Sequence, residues 1–310
     1  MIKKTLYFGN PMYLSLRNAQ LVLRMPDVEK NDTLPETFKR EAERTIPIED
    51  IGVVVLDNKR ITVTTGVMEA LLENNCAVIT CDNRSMPVGL MLPLYGNTTQ
   101  SERFRQQIDA SLPLKKQLWQ QTVRQKILNQ AKVLNKNTGC EVRNMLIWAN
   151  DVKSGDSDNL EARAATYYWK NLFPSHPDFI RGREEEAPNN LLNYGYAILR
   201  ACVARGLVGS GLLPTLGIHH HNRYNAYCLA DDIMEPYRPF VDDWVIHVMQ
   251  QFEDYTELTR DIKAELLQVP ALDVTIEGRR SPLMVAVGQT TASLARCFNG
   301  EARKIAYPEY

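Results

Sequence analysis

The sequence predicts an α+β protein in which a small β-rich N-terminal domain is followed by a larger all-helical C-terminal domain. Before residue 93, short runs of branched or alternating apolar residues are bounded by turn residues, which is typical of strands. After residue 100, apolar residues recur with the period of an amphipathic helix. Pro93 and Gly96 interrupt both patterns. We therefore expect a β-rich domain over residues 1–92, a linker over 93–100 and a helical domain over 101–310.

The predicted strands of the first domain follow from its apolar runs. The run IGVVVL at Ile51–Leu56 is continuous and branched, as in a strand that is buried on both faces. A short helix is predicted over Gly66–Asn74, and the polar stretch Pro26–Arg44 is predicted to be a loop or hairpin tip. The remaining predicted strands are Lys3–Phe8, Tyr13–Leu16, Gln20–Arg24, Arg60–Thr64, Ala77–Thr80 and Val88–Leu92.

The second domain is predicted to contain helices throughout. Its first helical stretch, Ser101–Leu134, has a break at Pro113, and Pro282 suits the first turn of the last helix. The other predicted helices are Leu160–Phe173, Asn189–Arg205, Leu229–Phe252, Tyr255–Leu267 and Ser281–Phe298.

The composition indicates a folded protein and, taken alone, a neutral enzyme. With 310 residues, 44% of them hydrophobic, the chain is long enough to bury a sizeable core. Its 36 Lys and Arg against 37 Asp and Glu lack the strongly basic balance of a whole-chain nucleic-acid binder.

The cysteines and the apolar runs predict a cytoplasmic protein without a membrane partner. The six cysteines are scattered and form no Cys-x-x-Cys pair, which argues against a zinc site or a disulfide scaffold. The first apolar run ends at Gly9, too early for a signal peptide. No stretch approaches the roughly 20 apolar residues that cross a bilayer. We expect free thiols that act as small core residues.

The charge is unevenly distributed along the chain. The acidic residues of the segment Arg103–Arg143 are Asp109 and Glu141, and Trp119 lies between its basic residues. Such a segment would attract phosphate and release counterions. By itself, however, a charge run more often forms a solvated helix face. Its basic residues are Arg103, Arg105, Lys115, Lys116, Arg124, Lys126, Lys132, Lys136 and Arg143.

A dense polar segment between residues 216 and 239 is the strongest candidate site. Three histidines, His219–His221, precede a helix on which Asp232, Glu235 and Arg238 are three residues apart and share one face. The prolines at 236 and 239 each remove a backbone N–H, so we expect the helix to bend or begin near Glu235. This pattern is typical of a metal and phosphate site. A solvated histidine loop beside a surface ion-pair ladder of little energetic value would also explain it.

Glu161 is the best candidate for a further acidic ligand. It lies at the edge of a predicted apolar helix face, with Ala165 and Tyr168. The alternative is structural, because an acid three residues after Asp158 is also where a capping-box glutamate belongs. The sequence pattern leaves both alternatives open.

Three segments, in this order, resemble CRISPR-associated protein one, the spacer-acquisition integrase. They are NLEARAATYY at 159–168, PNNLLNYGYAIL at 188–199 and the stretch from Gly217 to Pro239. The predicted N-terminal strands and the Gly66–Asn74 helix also fit the family, so the resemblance covers nearly the whole chain. The sequences DIMEPYRP at 232–239 and KILNQ at 126–130 are most similar to the type II subgroup.

The resemblance implies which residues form the active site. His220 is the implied histidine because it follows Gly217 by three residues and precedes Glu235 by fifteen, as in the family. Asp232 would support the site and Arg238 would face the phosphate. The implied catalytic and metal-binding residues are Glu161, His220 and Glu235.

The resemblance also implies an activity and a set of partners. The family inserts protospacer DNA into a CRISPR array, using a 3′-OH to attack a phosphodiester at the edge of a repeat, and has related endonuclease activity. Glu and His ligands suit Mg²⁺ or Mn²⁺. The implied partners are double-stranded DNA (protospacer and repeat), a second copy of the chain bound through the β-rich domain, and CRISPR-associated protein two in a heterohexamer. The effector nuclease is a further candidate partner.

The basic segment then becomes a candidate DNA surface, together with Trp119. Two other interpretations stay open: a metallohydrolase of small phosphoesters, and a non-catalytic DNA-binding scaffold in which the acidic residues serve only capping and ion pairing. The candidate DNA-binding residues are Lys115, Lys116, Arg124, Lys126 and Lys132.

Overall fold

The computed structural model describes residues 3–182 and 186–310. The chain divides into two compact units, one up to Leu94 and the other from Tyr95 to Tyr310. The structure has the predicted mixture of strands and helices, with a strand-rich N-terminal part followed by helices. Both kinds of element are numbered in chain order.

The N-terminal unit contains two sheets. One has the order β1-β5-β7-β8, in which β8 is antiparallel to its neighbour and the other pairings are parallel. The other has the order β4-β3-β2-β6. The strands are β1 (Lys4–Phe8), β2 (Tyr13–Arg17), β3 (Gln20–Arg24), β4 (Arg44–Pro47), β5 (Ile51–Leu56), β6 (Thr62–Val63), β7 (Ala77–Cys81) and β8 (Pro87–Met91).

The burial of β5 agrees with its interior position in the first sheet. Its residues from Ile51 to Val55 are all buried, as the continuous branched run predicted. Helix α3 (Thr65–Glu73) adds Val67 and Leu71 to a cluster with Leu14 and Leu21.

Part of the loop prediction for Pro26–Arg44 is wrong. This stretch contains helix α1 (Pro26–Glu29) and helix α2 (Glu36–Glu41), and it leads into β4. Both helices are short and α2 buries no residue, so neither leaves an apolar period in the sequence.

The second unit is built on long helices. Helix α5 is capped at Ser111, whose hydroxyl accepts a hydrogen bond from the Leu114 N–H, and ends at Gly139 with φ +69°. It packs against α6, α7 and α10, while α8 packs against α12. The helices are α4 (Gln100–Ile108), α5 (Leu112–Thr138), α6 (Arg143–Asp151), α7 (Leu160–Leu172), α8 (Asn189–Gly209), α9 (Cys228–Met234), α10 (Arg238–Gln251), α11 (Arg260–Leu266) and α12 (Leu283–Phe298).

The second unit is not all-helical, which corrects the prediction. It contains a sheet of order β10-β9-β11, formed by Asp273–Ile276 (β9), Arg279–Pro282 (β10) and Pro308–Glu309 (β11). Residues 277 and 278 make the tight turn between β9 and β10, both with positive φ. The strands are short and β11 is distant in sequence, so the sequence pattern predicts no sheet here. The predicted helices also omit α6, which has 9 residues.

Five of the six cysteines match the prediction of small core residues. All six are free thiols and all except Cys140 are buried. Within the described ranges, no helix combines the length and the apolar character that a bilayer crossing requires.

Candidate active site

Segments of the second unit meet at one cluster of charged side chains. Helix α5 contributes Lys126, the first turn of α7 contributes Glu161, and the 3₁₀ turn after α9 contributes Glu235. Lys126 Nζ lies 2.7 Å from Glu161 Oε1 and 2.6 Å from Glu235 Oε2. His220, from the loop between α8 and α9, is under the electrostatic influence of both carboxylates. The three predicted site residues are thus neighbours, and a lysine lies between two of them.

The carboxylate of Glu161 is not needed to cap α7, because another residue caps this helix. Asp156 Oδ1 accepts a hydrogen bond from the Leu160 N–H at 2.9 Å, and Asp156 Oδ2 accepts one from the Glu161 N–H at 3.0 Å. Asp156 therefore caps α7, while the carboxylate of Glu161 pairs with Lys126. The capping-box alternative for Glu161 is wrong.

Asp232 organises the histidine loop from inside the protein. Its side chain is 0% exposed, and Oδ2 accepts hydrogen bonds from the backbone N–H groups of Ile218 at 2.7 Å and His219 at 2.9 Å. Its Oδ1 contacts both the backbone N–H and the ring Nδ1 of His220. Because Nδ1 faces a carboxylate, Nε2 is the nitrogen that the imidazole can offer to a ligand.

Gln107 holds the start of the same loop, although no sequence pattern indicates this role. This buried side chain on α4 donates through Nε2 to the carbonyls of Leu213 at 3.0 Å and Leu216 at 3.1 Å. Its Oε1 accepts from the Leu213 N–H at 2.8 Å. One amide side chain therefore satisfies three backbone groups that precede Gly217.

Gly217 is required by close packing, which gives a testable prediction. A Cβ at this position would overlap the carbonyl oxygen of His220 and come within 2.8 Å of Asp232 Oδ2. We expect Gly217→Ala to lower the free energy of unfolding by about 1–3 kcal/mol, because the loop must move away from Asp232. Urea unfolding followed by circular dichroism would measure this loss.

Gly288→Ala is the matched control for that measurement. A Cβ on this exposed residue of α12 would meet nothing within 4 Å, so alanine should stabilise the helix by up to about 1 kcal/mol. Equal stability of Gly217→Ala and the unaltered chain would show that the loop is not held as described.

Neighbouring groups of the site shift the pKa values of Glu235, Lys126 and His220 toward their charged forms. Burial alone would raise the pKa of Glu235, but the charges of Arg238 and Lys126 lower it below the ordinary value. Burial alone would lower the pKa of Lys126, but Glu235 and Glu161 raise it. The hydrogen bond with Asp232 raises the pKa of His220, and the charges of the same two glutamates add to the effect. These groups form a compact, mutually dependent ion cluster.

Arg238 connects this cluster to a second buried network. Its Nη2 lies 3.1 Å from Glu235 Oε1, and its guanidinium lies 4.8 Å from the centre of the Tyr196 ring. The Tyr196 hydroxyl donates to Asp242 Oδ1, and the Tyr168 hydroxyl donates to Asp242 Oδ2 at 2.9 Å. Burial raises the pKa of Asp242 to about 7, even though both hydrogen bonds act to lower it.

No sequence pattern predicts this second network. Tyr168 and Tyr196 lie in the two upstream motif segments, but no spacing indicates that they share Asp242. The alternative of a surface ion-pair ladder is also wrong, because Asp232 and Glu235 are buried.

Two residues of the candidate DNA surface are buried instead. Trp119 is 1% exposed, its ring stacks in parallel on His219 with centroids 4.2 Å apart, and its edge contact with His220 measures 5.5 Å. Lys126 is 9% exposed and paired within the cluster. Both assignments to a DNA surface are corrected: Trp119 supports the histidine loop, and Lys126 belongs to the site. Partly or fully exposed on α5 are Lys115, Lys116, Arg124 and Lys132.

The donor chemistry of the site fits a divalent ion, although the side chains are not arranged around one. Within residues 3–182 and 186–310, no three His, Cys, Asp or Glu side chains are close enough together to form a metal site. Lys126 Nζ lies where the carboxylates of Glu161 and Glu235 face each other. Glu235 Oε2 is buried and makes no hydrogen bond to the described residues beyond this ion pair. Two carboxylates and an imidazole are suitable ligands for Mg²⁺ or Mn²⁺.

The fold is similar to solved structures of low sequence identity. A casposase bound to integration product has a TM-score of 0.77 at 19% identity, covering 100% of this chain and 94% of that chain. A chain of a Cas6-RT-Cas1–Cas2 complex has a TM-score of 0.72 at 19% identity, covering 97% of this chain and 35% of that chain. The protein therefore belongs to the class whose fold is found in the casposase and in this Cas1-containing complex.

The sequence comparison identifies the family. The chain matches the family described as CRISPR associated protein Cas1 over residues 13–254. The CRISPR-associated endonuclease Cas1 of Neisseria meningitidis serogroup C (strain 8013) is 36% identical over 312 residues, covering 100% of this chain and 97% of that protein. The chain belongs to the CRISPR-associated protein Cas1 family, which confirms the resemblance found in its motifs.

Proposed function

We propose that this protein is a metal-dependent DNA integrase of CRISPR adaptation, with related DNA endonuclease activity. It inserts protospacer DNA into the CRISPR array through attack of a 3′-OH on a phosphodiester at the edge of a repeat. The observation that carries the proposal is the meeting of Glu161, Glu235 and His220 in one cluster of a Cas1-family chain. The endonuclease name of the Neisseria relative and the integration product held by the casposase support it.

The residues of the site have distinct roles in this reaction. Glu161, His220 and Glu235 would hold Mg²⁺ or Mn²⁺, which when bound acidifies the attacking hydroxyl and neutralises charge on the phosphate. Asp232 fixes the ring of His220, so that Nε2 points away from the carboxylate. Arg238 places a fixed positive charge beside Glu235, suited to a phosphate oxygen.

The reaction is a transesterification without a covalent enzyme intermediate. The 3′-hydroxyl of the protospacer loses its proton to solvent as its oxygen forms a new bond to phosphorus. The bond from phosphorus to the leaving oxygen of the repeat breaks, and that oxygen takes up a proton from solvent. Water in place of the 3′-OH gives strand cleavage, which accounts for the endonuclease activity.

DNA and protein partners follow from the same proposal. The exposed basic residues of α5 would contact duplex phosphates, while the N-terminal unit would pair two copies of the chain. By analogy with the complex of Cas1 and Cas2, we infer a heterohexamer with CRISPR-associated protein two. A cytoplasmic location and a contact with the effector nuclease belong to the proposal as well. The proposed DNA-contacting residues are Lys115, Lys116, Arg124 and Lys132.

Strand transfer tests the proposed function directly. We expect a labelled protospacer duplex to be joined to a supercoiled plasmid carrying a repeat when Mn²⁺ is present. Product should fall to background in EDTA and in the His220→Ala variant, since both remove metal binding.

Other outcomes would support the interpretations that remained open in the sequence. Equal product in EDTA, or in His220→Ala, would contradict the metal-integrase proposal. Turnover of a mononucleotide ester without salt-sensitive duplex binding would indicate a small-molecule metallohydrolase. Duplex binding without any strand transfer would indicate a scaffold.

A further inference from the structure

Lys126 is an unusual component of the cluster because it is both charged and enclosed. Its residue is 9% exposed, yet its ammonium lies 2.7 Å from Glu161 Oε1 and 2.6 Å from Glu235 Oε2. A buried ammonium is stable only with such partners, because an unpaired charge pays a large desolvation penalty. The lysine bridges the two carboxylates that the proposed function assigns to a metal.

Formal charges show why the ammonium and a divalent ion exclude one another. Glu161 and Glu235 carry two negative charges, while Lys126 and Arg238 carry two positive charges within reach of them. The cluster is thus already compensated before an ion enters. Adding a divalent ion while Lys126 stays in place would leave excess positive charge in a partly buried site, even when the Asp232 carboxylate beside His220 is counted, which is unfavourable.

The geometry leads to the same conclusion. The ammonium contacts one oxygen of each carboxylate. Because Glu235 Oε1 pairs with Arg238, the oxygen that Glu235 can offer to an ion is Oε2, which Lys126 contacts. Lysine carries a compact charge on a flexible four-carbon stem, so its ammonium can move several ångströms without a backbone change. Arg238 is less able to leave, since its guanidinium also packs on the Tyr196 ring.

We propose that Lys126 is the resident counter-ion of the metal-free site, and that a divalent ion binds by displacing its ammonium from Glu161 and Glu235. This inference rests on the proposed metal site. The lysine holds two like charges together when no ion is present, and it lowers the affinity for the ion by competing with it. Metal binding is therefore an exchange of one cation for another.

Mn²⁺ binding measured by electron paramagnetic resonance tests the exchange, because the free ion gives the signal that is counted. We expect Lys126→Met to bind Mn²⁺ at least about tenfold more tightly than the unaltered chain at the same pH, since the competing charge is gone. Lys126→Arg retains the charge, so its Kd for Mn²⁺ should stay within about threefold of that of the unaltered chain. Lys170→Met, an exposed lysine on the helix that carries Glu161, should leave the Kd unchanged.

The outcomes separate this inference from the metal site itself. If the unaltered chain binds Mn²⁺ but Lys126→Met binds it no more tightly, or if Lys126→Arg gains as much as Lys126→Met, the exchange is wrong and the metal site stands. If the unaltered chain binds no Mn²⁺, or if Glu161→Gln binds it equally well, the proposed metal site fails and the exchange fails with it.

A measurement on the unaltered chain covers the case in which Lys126→Met does not fold. Acetylation of individual lysines, followed by mass spectrometry, reports how available each amine is. Mg²⁺ at a saturating concentration should increase the labelling of Lys126 at least about threefold relative to EDTA, with Lys170 as the internal reference. Unchanged labelling of Lys126 would overturn the exchange.

Discussion

Glu161→Gln is expected to reduce strand transfer in Mn²⁺ by at least about 1,000-fold, which corresponds to about 4 kcal/mol of transition-state stabilisation. The substitution removes one of the two anionic ligands proposed for the metal and preserves the size of the side chain. Its amide oxygen can still accept a hydrogen bond from Lys126, and the residue is only partly buried. The fold should therefore survive, and the loss should lie in the chemical step.

Single-turnover strand transfer, with matched amounts of folded protein, measures this loss. Glu257→Gln, an exposed glutamate, is the control and should act like the unaltered chain. Retention of more than a tenth of the rate by Glu161→Gln would contradict its assignment as a metal ligand. A large loss accompanied by unfolding in circular dichroism would instead indicate a structural role.

Asp242→Asn is expected to remove a large pH dependence of stability. The pKa of Asp242 in the folded protein is about 7, against an ordinary value near 4, because burial disfavours its charge. A raised pKa contributes stability that is fully present below the pKa of the group in the unfolded chain. This stability is lost as pH rises through the pKa of the group in the folded protein. Between pH 5 and pH 8 the unaltered chain should lose about 3 kcal/mol from this group.

Urea unfolding of the unaltered chain and of Asp242→Asn at several pH values would test this expectation. Since asparagine cannot ionise, the free energy of unfolding of Asp242→Asn, relative to that of the unaltered chain, should rise by about 3 kcal/mol from pH 5 to pH 8. Asp178→Asn, an exposed aspartate, should show no such trend. A constant difference between the two proteins across this range would mean that Asp242 ionises normally.

Much of the fold could be predicted because its elements leave a period in the sequence. The strand Ile51–Leu56 and the helices that begin at Leu160 and Asn189 follow directly from runs and spacing. The break near Glu235 follows from its prolines, and a 3₁₀ turn occupies Glu235–Tyr237. The sheet formed by β9, β10 and β11 escaped because its pairing depends on residues distant in sequence.

The candidate site was less accessible from the sequence. Choosing Glu161 and His220 depended on the family resemblance, since capping and solvated-loop alternatives fitted the same residues. Helix α5 is 27 residues long and buried on much of its circumference, so its spacing could not show that Lys126 points inward. Asp242 carries no local pattern that distinguishes it from Asp243.

The sequence by itself determined the strand-rich beginning, the helical remainder, the family and the residues that its motifs share. Local periodicity and short motifs encode these properties, because they depend on neighbours along the chain. Only the tertiary structure decided that Asp156 caps the Glu161 helix, that Trp119 supports the histidine loop, and that Lys126 lies between Glu161 and Glu235. The physical reason is that the ionic and packing partners of a side chain depend on which helices meet in space, and no spacing within one helix specifies that meeting.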